Sequence, residues 1–108
     1  MIPRRLRLSR KDFESVVSGK ELMRAVSPHF SISYGSSPAK GGCGVVVSKK
    51  VERSSVKRHL LKRRIREVLR EYCSTDHIFI VYARPGAETL SFADLSAELS
   101  AELERIRA

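Results

Sequence analysis

Ten lysine and arginine side chains fall between Lys49 and Arg70, against two acids, Glu52 and Glu67. A cationic run of this kind can neutralise phosphate. Arginine predominates in it, and the planar guanidinium fork suits phosphate oxygens better than the point charge of lysine. On a helix turning about 100° per residue, Leu61, Ile65, Val68, Leu69 and Tyr72 share one arc, and His59, Lys62, Arg63, Arg66 and Arg70 share the opposite one. The first arc is a core face and the second a cationic ridge. Like charges one turn apart, such as Lys62 with Arg66 and Arg66 with Arg70, cost about a few tenths of a kcal/mol per pair. A helix facing only water relieves that cost with glutamates, which are sparse here. Phosphate reverses its sign, because neutralising a polyanion releases condensed counterions. Two other readings compete: a solvated basic face with no partner, and a helix lying on a membrane surface. The second needs a broad exposed apolar face, whereas the apolar arc of this helix is required for the core.

No other set of residues declares a reaction. His29, His59 and His77 lie in unrelated segments, and Asp12, Glu14, Asp76 and Asp94 do not converge as a metal-dependent nuclease requires. No catalytic residue and no metal ligand is assigned. Cys43 and Cys73 have neither CxxC spacing nor a histidine at zinc-finger spacing, so they read as two reduced thiols of a cytoplasmic protein. Phe13, Phe30 and Tyr34 are the aromatics that could stack on the bases of a single-stranded polyanion, at about 1–3 kcal/mol per stacked base. The same three are ordinary core residue types, and the sequence leaves both readings open.

The elements that must hold these residues fit one domain, residues 1–108. Hydrophobic residues make up 42% of the chain and charged residues 31%, the composition of a folded domain rather than a disordered tail. The net charge of +9 implies a polyanionic partner. Residues 1–70 carry 18 basic and 5 acidic side chains, whereas residues 71–108 carry 3 and 7, so the contact belongs to the first part. No apolar run approaches the ~18 residues of a membrane span. The basic Met1–Arg7 stretch lacks the apolar segment of a secretory signal.

Ser9 can cap a short helix over residues 9–18, with Phe13, Val16 and Val17 at helical spacing and Gly19 as the stop. Phe30, Ile32 and Tyr34 alternate with Ser31 and Ser33, the pattern of a half-buried strand, and Glu21–Val26 reads as a short strand before it. A Gly/Ser/Pro loop over residues 35–42 leads into the apolar strand Cys43–Ser48, and the two strands it joins read as an antiparallel pair. Ser54 or Ser55 can cap the basic helix, which runs from about Val56 to Tyr72. His77–Ala83 is a buried strand, and a last helix starts near Ser91 with Phe92, Leu95, Leu99, Leu103 and Ile106 facing inward. The strand–helix–strand order in the middle implies a crossover between parallel neighbours. The class is α/β, in two α+β layers.

The stretch Val45-Val46-Val47-Ser48-Lys49-Lys50, followed by Arg58-His59-Leu60-Leu61-Lys62-Arg63-Arg64-Ile65-Arg66-Glu67, resembles the signature of the bacterial ribonuclease P protein family. Leu8 to Val17, with Asp12-Phe13, is similar to the family's first helix. Ala83-Arg84-Pro85 and then Leu90 to Leu95 are similar to its last strand and helix. His59 stands where the family usually has Asn, and Leu60 where it usually has Arg or Lys. Leu60 also lies off the apolar arc, which makes it a partly exposed apolar residue.

The resemblance implies the order α-β-β-β-α-β-α, a small sheet of the ribosomal protein S5 domain 2 type, and a left-handed crossover, which the general handedness rule would not supply. It implies an accessory subunit of an endoribonuclease whose RNA subunit holds the Mg2+ ions and hydrolyses the phosphodiester. Lys49, Lys50, Arg58, His59, Lys62, Arg63, Arg66 and Arg70 then dock on that RNA. A cleft between the first helix and the sheet takes the single-stranded 5′ leader of precursor tRNA, with no membrane and no obligate protein partner. A ribosomal-type structural RNA-binding protein, or a protein nuclease acting without RNA, would be the competing functions.

Overall fold

The computed structural model describes residues 23–36, 42–73 and 77–107. The helix expected over residues 9–18 lies outside them. The described chain runs β1 (Met23–Val26), β2 (Phe30–Ser36), β3 (Gly42–Val46), α1 (Ser55–Leu69), β4 (His77–Ala83), a 3-10 turn (Ala87–Thr89) and α2 (Phe92–Arg107). The four strands form one sheet in the order β1-β2-β4-β3.

β4 takes an interior place because it is apolar on both faces. Ile78, Phe79, Ile80 and Val81 are all buried, as a strand covered from both sides requires. It pairs antiparallel with β2 (Ile32 opposite Val81, Tyr34 opposite Phe79) and parallel with β3 (Cys43 opposite Phe79, Val45 opposite Val81). The parallel pair joined through α1 is the crossover read from the sequence. The antiparallel pairing expected between β2 and β3 is corrected: β4 lies between them, and β2 pairs instead with β1. A loop of turn-forming residues marks where the chain reverses, not which strand it reverses beside. β1 is a sheet edge of four residues, with Met23, Arg24 and Val26 exposed.

Both helices pack on one face of this sheet. Leu61, Ile65, Val68 and Leu69 of α1 and Leu95, Leu99 and Leu103 of α2 meet Phe30, Ile32, Phe79 and Val81 in a single core. Fully burying one such aliphatic side chain contributes about 1.5–3 kcal/mol. Phe92, expected on the inner face, is instead 45% exposed as the first residue of α2. Ser91 Oγ accepts from the Asp94 amide at 3.1 Å and caps that turn.

α1 stops three residues earlier than the apolar spacing suggests. The amides of Tyr72 and Cys73 both donate to the Leu69 carbonyl, tightening the chain into a turn. Tyr72 still packs against the core, and its hydroxyl donates to Glu104 Oε1 at 2.7 Å. The turn delivers Cys73 to Cys43 of β3, and the two form a disulfide with Cα atoms 5.9 Å apart. The reading of two reduced thiols is therefore corrected. It rested on the absence of a metal or redox motif, and sequence spacing says nothing about which side chains the fold brings together.

Candidate nucleic-acid interface

The Ser-Lys-Lys turn is built from its two ends. Val47 and Val51 are both buried, and between them the amides of Val51 and Glu52 donate to the Ser48 carbonyl at 3.1 and 3.2 Å. Lys49 and Lys50 are left exposed at the tip. Ser54 then takes an extended conformation, and its Oγ accepts from the Lys57 amide at 3.3 Å, starting α1. The first turn of α1 holds no acid. Ser55, Val56 and Lys57 of that turn are exposed, so the positive end of the helix dipole is open to solvent, an arrangement that favours an anion.

Along the helix the two arcs read from the sequence separate as described. Leu61, Ile65, Val68 and Leu69 are buried, His59, Arg63 and Arg70 are exposed, and Lys62 and Arg66 lie half-buried on the flank. Glu67 lies 3.6 Å from Arg70, one ion pair within the ridge. Val56 and Leu60 are exposed apolar residues one turn apart, 77% and 38% accessible. Leu60 thus stands off the core, as its place on the helix requires. Arg58 departs from the simple picture, because its Nη1 donates to the carbonyls of Glu52 (3.0 Å) and Arg53 (2.7 Å).

The three candidate stacking aromatics are not brought together in the described structure. Phe13 lies outside the described residues. Phe30 is wholly buried in the helix-side core, so its assignment as a stacking residue is corrected: no face of its ring is open to a base. Tyr34 follows Phe30 and Ile32 on the same side of β2 and is half-buried against that core. The opposite face of the sheet carries Ile78 and Ile80, with Val46 and Tyr82 packed against them. Tyr82 was not singled out from the sequence. Its parity with Ile78 and Ile80, opposite to Phe79, was the available signal.

His29 belongs to a structural cluster. Its Nδ1 lies 2.7 Å from Glu98 Oε1, and since an ionised carboxylate only accepts, that nitrogen is the donor. Glu98 Oε2 accepts from Ser27 Oγ at 2.7 Å and from the His29 amide at 2.8 Å. Arg84 Nη1 donates to the Ser27 carbonyl at 2.8 Å. Burial alone would raise the pKa of Glu98, but the bonds from His29 and Ser27 together hold it below the ordinary carboxylate value. The cluster ties α2 to the β1–β2 turn and to the end of β4. Among the described residues no group of three or more His, Cys, Asp or Glu side chains could hold a metal ion. Among the same residues no helix is long and apolar enough to cross a membrane.

A two-layer α+β fold with a cationic crossover helix defines a small polyanion-binding protein. The family model for ribonuclease P matches residues 2–107, and the chain belongs to that family. The ribonuclease P protein component of Mycobacterium sp. (strain KMS) is 32% identical over 99% of this chain and 94% of the relative. That of Rickettsia bellii is 36% identical over 53% of this chain, a match spanning 51% of the relative. The ribonuclease P protein of Staphylococcus aureus superposes with a TM-score of 0.78 at 21% identity, covering 94% of this chain and 95% of that structure.

Proposed function

We propose that this chain is the protein subunit of ribonuclease P, binding the catalytic RNA and the 5′ leader of precursor tRNA so that the leader is removed to give the mature 5′ end. The cationic outward face of α1, continuous with the Lys49-Lys50 turn, carries this reading. The chemistry belongs to the RNA subunit, which brings its Mg2+ ions, and the protein supplies charge and position. Holding two RNAs together accumulates phosphate repulsion, which the ridge screens, so that less Mg2+ is needed for cleavage. The varied leader calls for contacts tolerant of sequence. With Phe30 in the core, stacking falls to Phe13 and to Tyr82 on the sheet face away from the helices. Tyr34 is half-buried against the helix-side core, which leaves it a smaller part. Such a protein works in the cytoplasm, where tRNA precursors are trimmed.

Arg63 is the direct probe of the ridge. Arg63→Ala should weaken binding to a bacterial ribonuclease P RNA and flatten the dependence of log K on log salt by about 0.7–0.9, one phosphate contact. An unchanged slope would remove α1 from the interface.

A further inference from the structure

The eight basic residues assigned to RNA do not play one role, and Arg58 is the exception. Its Nη1 lies within hydrogen-bond distance of two successive backbone carbonyls, Glu52 at 3.0 Å and Arg53 at 2.7 Å, and Arg58 itself is half-buried. Both carbonyls belong to the connection between β3 and α1. Among the described residues the other ties of that connection are the buried Val47 and Val51 side chains, the Ser48 carbonyl that accepts from Val51 and Glu52, and Ser54, which caps α1 and accepts the Arg58 amide. None of these reaches the carbonyl side of Glu52 and Arg53.

We infer that Arg58 is a positioning residue, a clasp from the first turn of α1 that fixes the connecting loop and so presents Lys49, Lys50 and Arg53 in register with the helical ridge. A charge-assisted bond from guanidinium to carbonyl is stronger than a neutral one. Without it, exposed lysines on a short loop would each have to be ordered when RNA binds, at an entropic cost. The clasp fixes that geometry beforehand and binds the loop and the helix into one cationic surface. This inference rests on the proposed RNA interface and assigns Arg58 a role within it that charge alone does not predict.

The test is a double-mutant cycle on the full chain, reading the salt dependence of binding to a bacterial ribonuclease P RNA. The variants are Arg58→Met, the pair Lys49→Ala/Lys50→Ala, and all three together. As a clasp, Arg58→Met should flatten the slope by about two to three phosphate contacts on the native background, and by about one at most once both lysines are gone. An equal change on the two backgrounds would make Arg58 an independent phosphate contact and overturn the clasp alone. No change of slope in the lysine pair itself would overturn the interface and the clasp together.

A second readout needs no RNA. In the free protein, Arg58→Met should speed tryptic cleavage after Lys49, Lys50 and Arg53 by about tenfold or more relative to cleavage after Arg63 and Arg64, as expected when a loop opens but α1 does not. An unchanged ratio of loop to helix cleavage would count against the clasp if the fold is intact. If the variant does not fold, NMR of the native protein decides: the Arg58 guanidinium should show a slowly exchanging Nη1 group, and rapid averaging like that of a solvated arginine would overturn the inference.

Discussion

Reduction of the Cys43–Cys73 disulfide should sharply lower the stability of the free protein. The bond joins residues 30 apart in sequence and encloses the whole Ser-Lys-Lys turn and α1. Chain-entropy reasoning for a loop of that length gives about 12 cal/mol/K of unfolded-state entropy removed, or about 3.6 kcal/mol at 25 °C. For a domain of this size each kcal/mol moves Tm by about 4–8 °C, so reduction should lower Tm by roughly 14–29 °C. Reduction adds little to that loss, since Cys43 is buried in an apolar setting that suits a thiol. Thermal unfolding followed by circular dichroism, with and without a phosphine reductant, measures the change. Cys73→Ala serves as the control that no longer responds to reductant. A Tm that stays in place on reduction would refute the reasoning, as would two thiols titrating in the native, unreduced protein.

Three further outcomes follow from named residues. Glu98 has a lower pKa folded than unfolded, so the stability it adds is complete above the ordinary 4.5 and is lost as pH falls through the folded-state value. Urea titrations from neutral to acid pH should show that loss, and Glu98→Gln should flatten it. Gly86 holds φ at 102°, and a Cβ there would lie 3.2 Å from His29 Cδ2, so Gly86→Ala should cost about 1–3 kcal/mol in a denaturant titration. Leu60→Arg adds a cation to the outward side of α1 and should steepen the salt dependence of RNA binding by about 0.7–0.9.

The helical arcs were legible because their period is local. Leu61, Ile65, Val68 and Leu69 mark the buried side of α1 by spacing alone, and the basic residues mark the other. His77–Ala83 was legible because seven consecutive residues favour a strand, four of them buried. What the chain does not encode locally was missed or misread. The insertion of β4 between β2 and β3 depends on which strand is apolar on both faces. The Cys43–Cys73 bond depends on where the turn after Leu69 leads. The fate of Phe30 depended on parity: its strand alternates, but alternation does not say which face the helices will cover. Arg58 shows the same limit for charge, since a carbonyl acceptor leaves no mark in the sequence.

The most direct measurement is cleavage of a precursor tRNA by a bacterial ribonuclease P RNA at low Mg2+, with and without this protein, using an RNA subunit from the same source. Cleavage at the mature 5′ end only when both are present, and none by the protein alone, is the predicted result. Tight RNA binding with no stimulation would contradict it and make the chain a structural RNA-binding protein, while cleavage by the protein freed of RNA would place the chemistry in the chain itself.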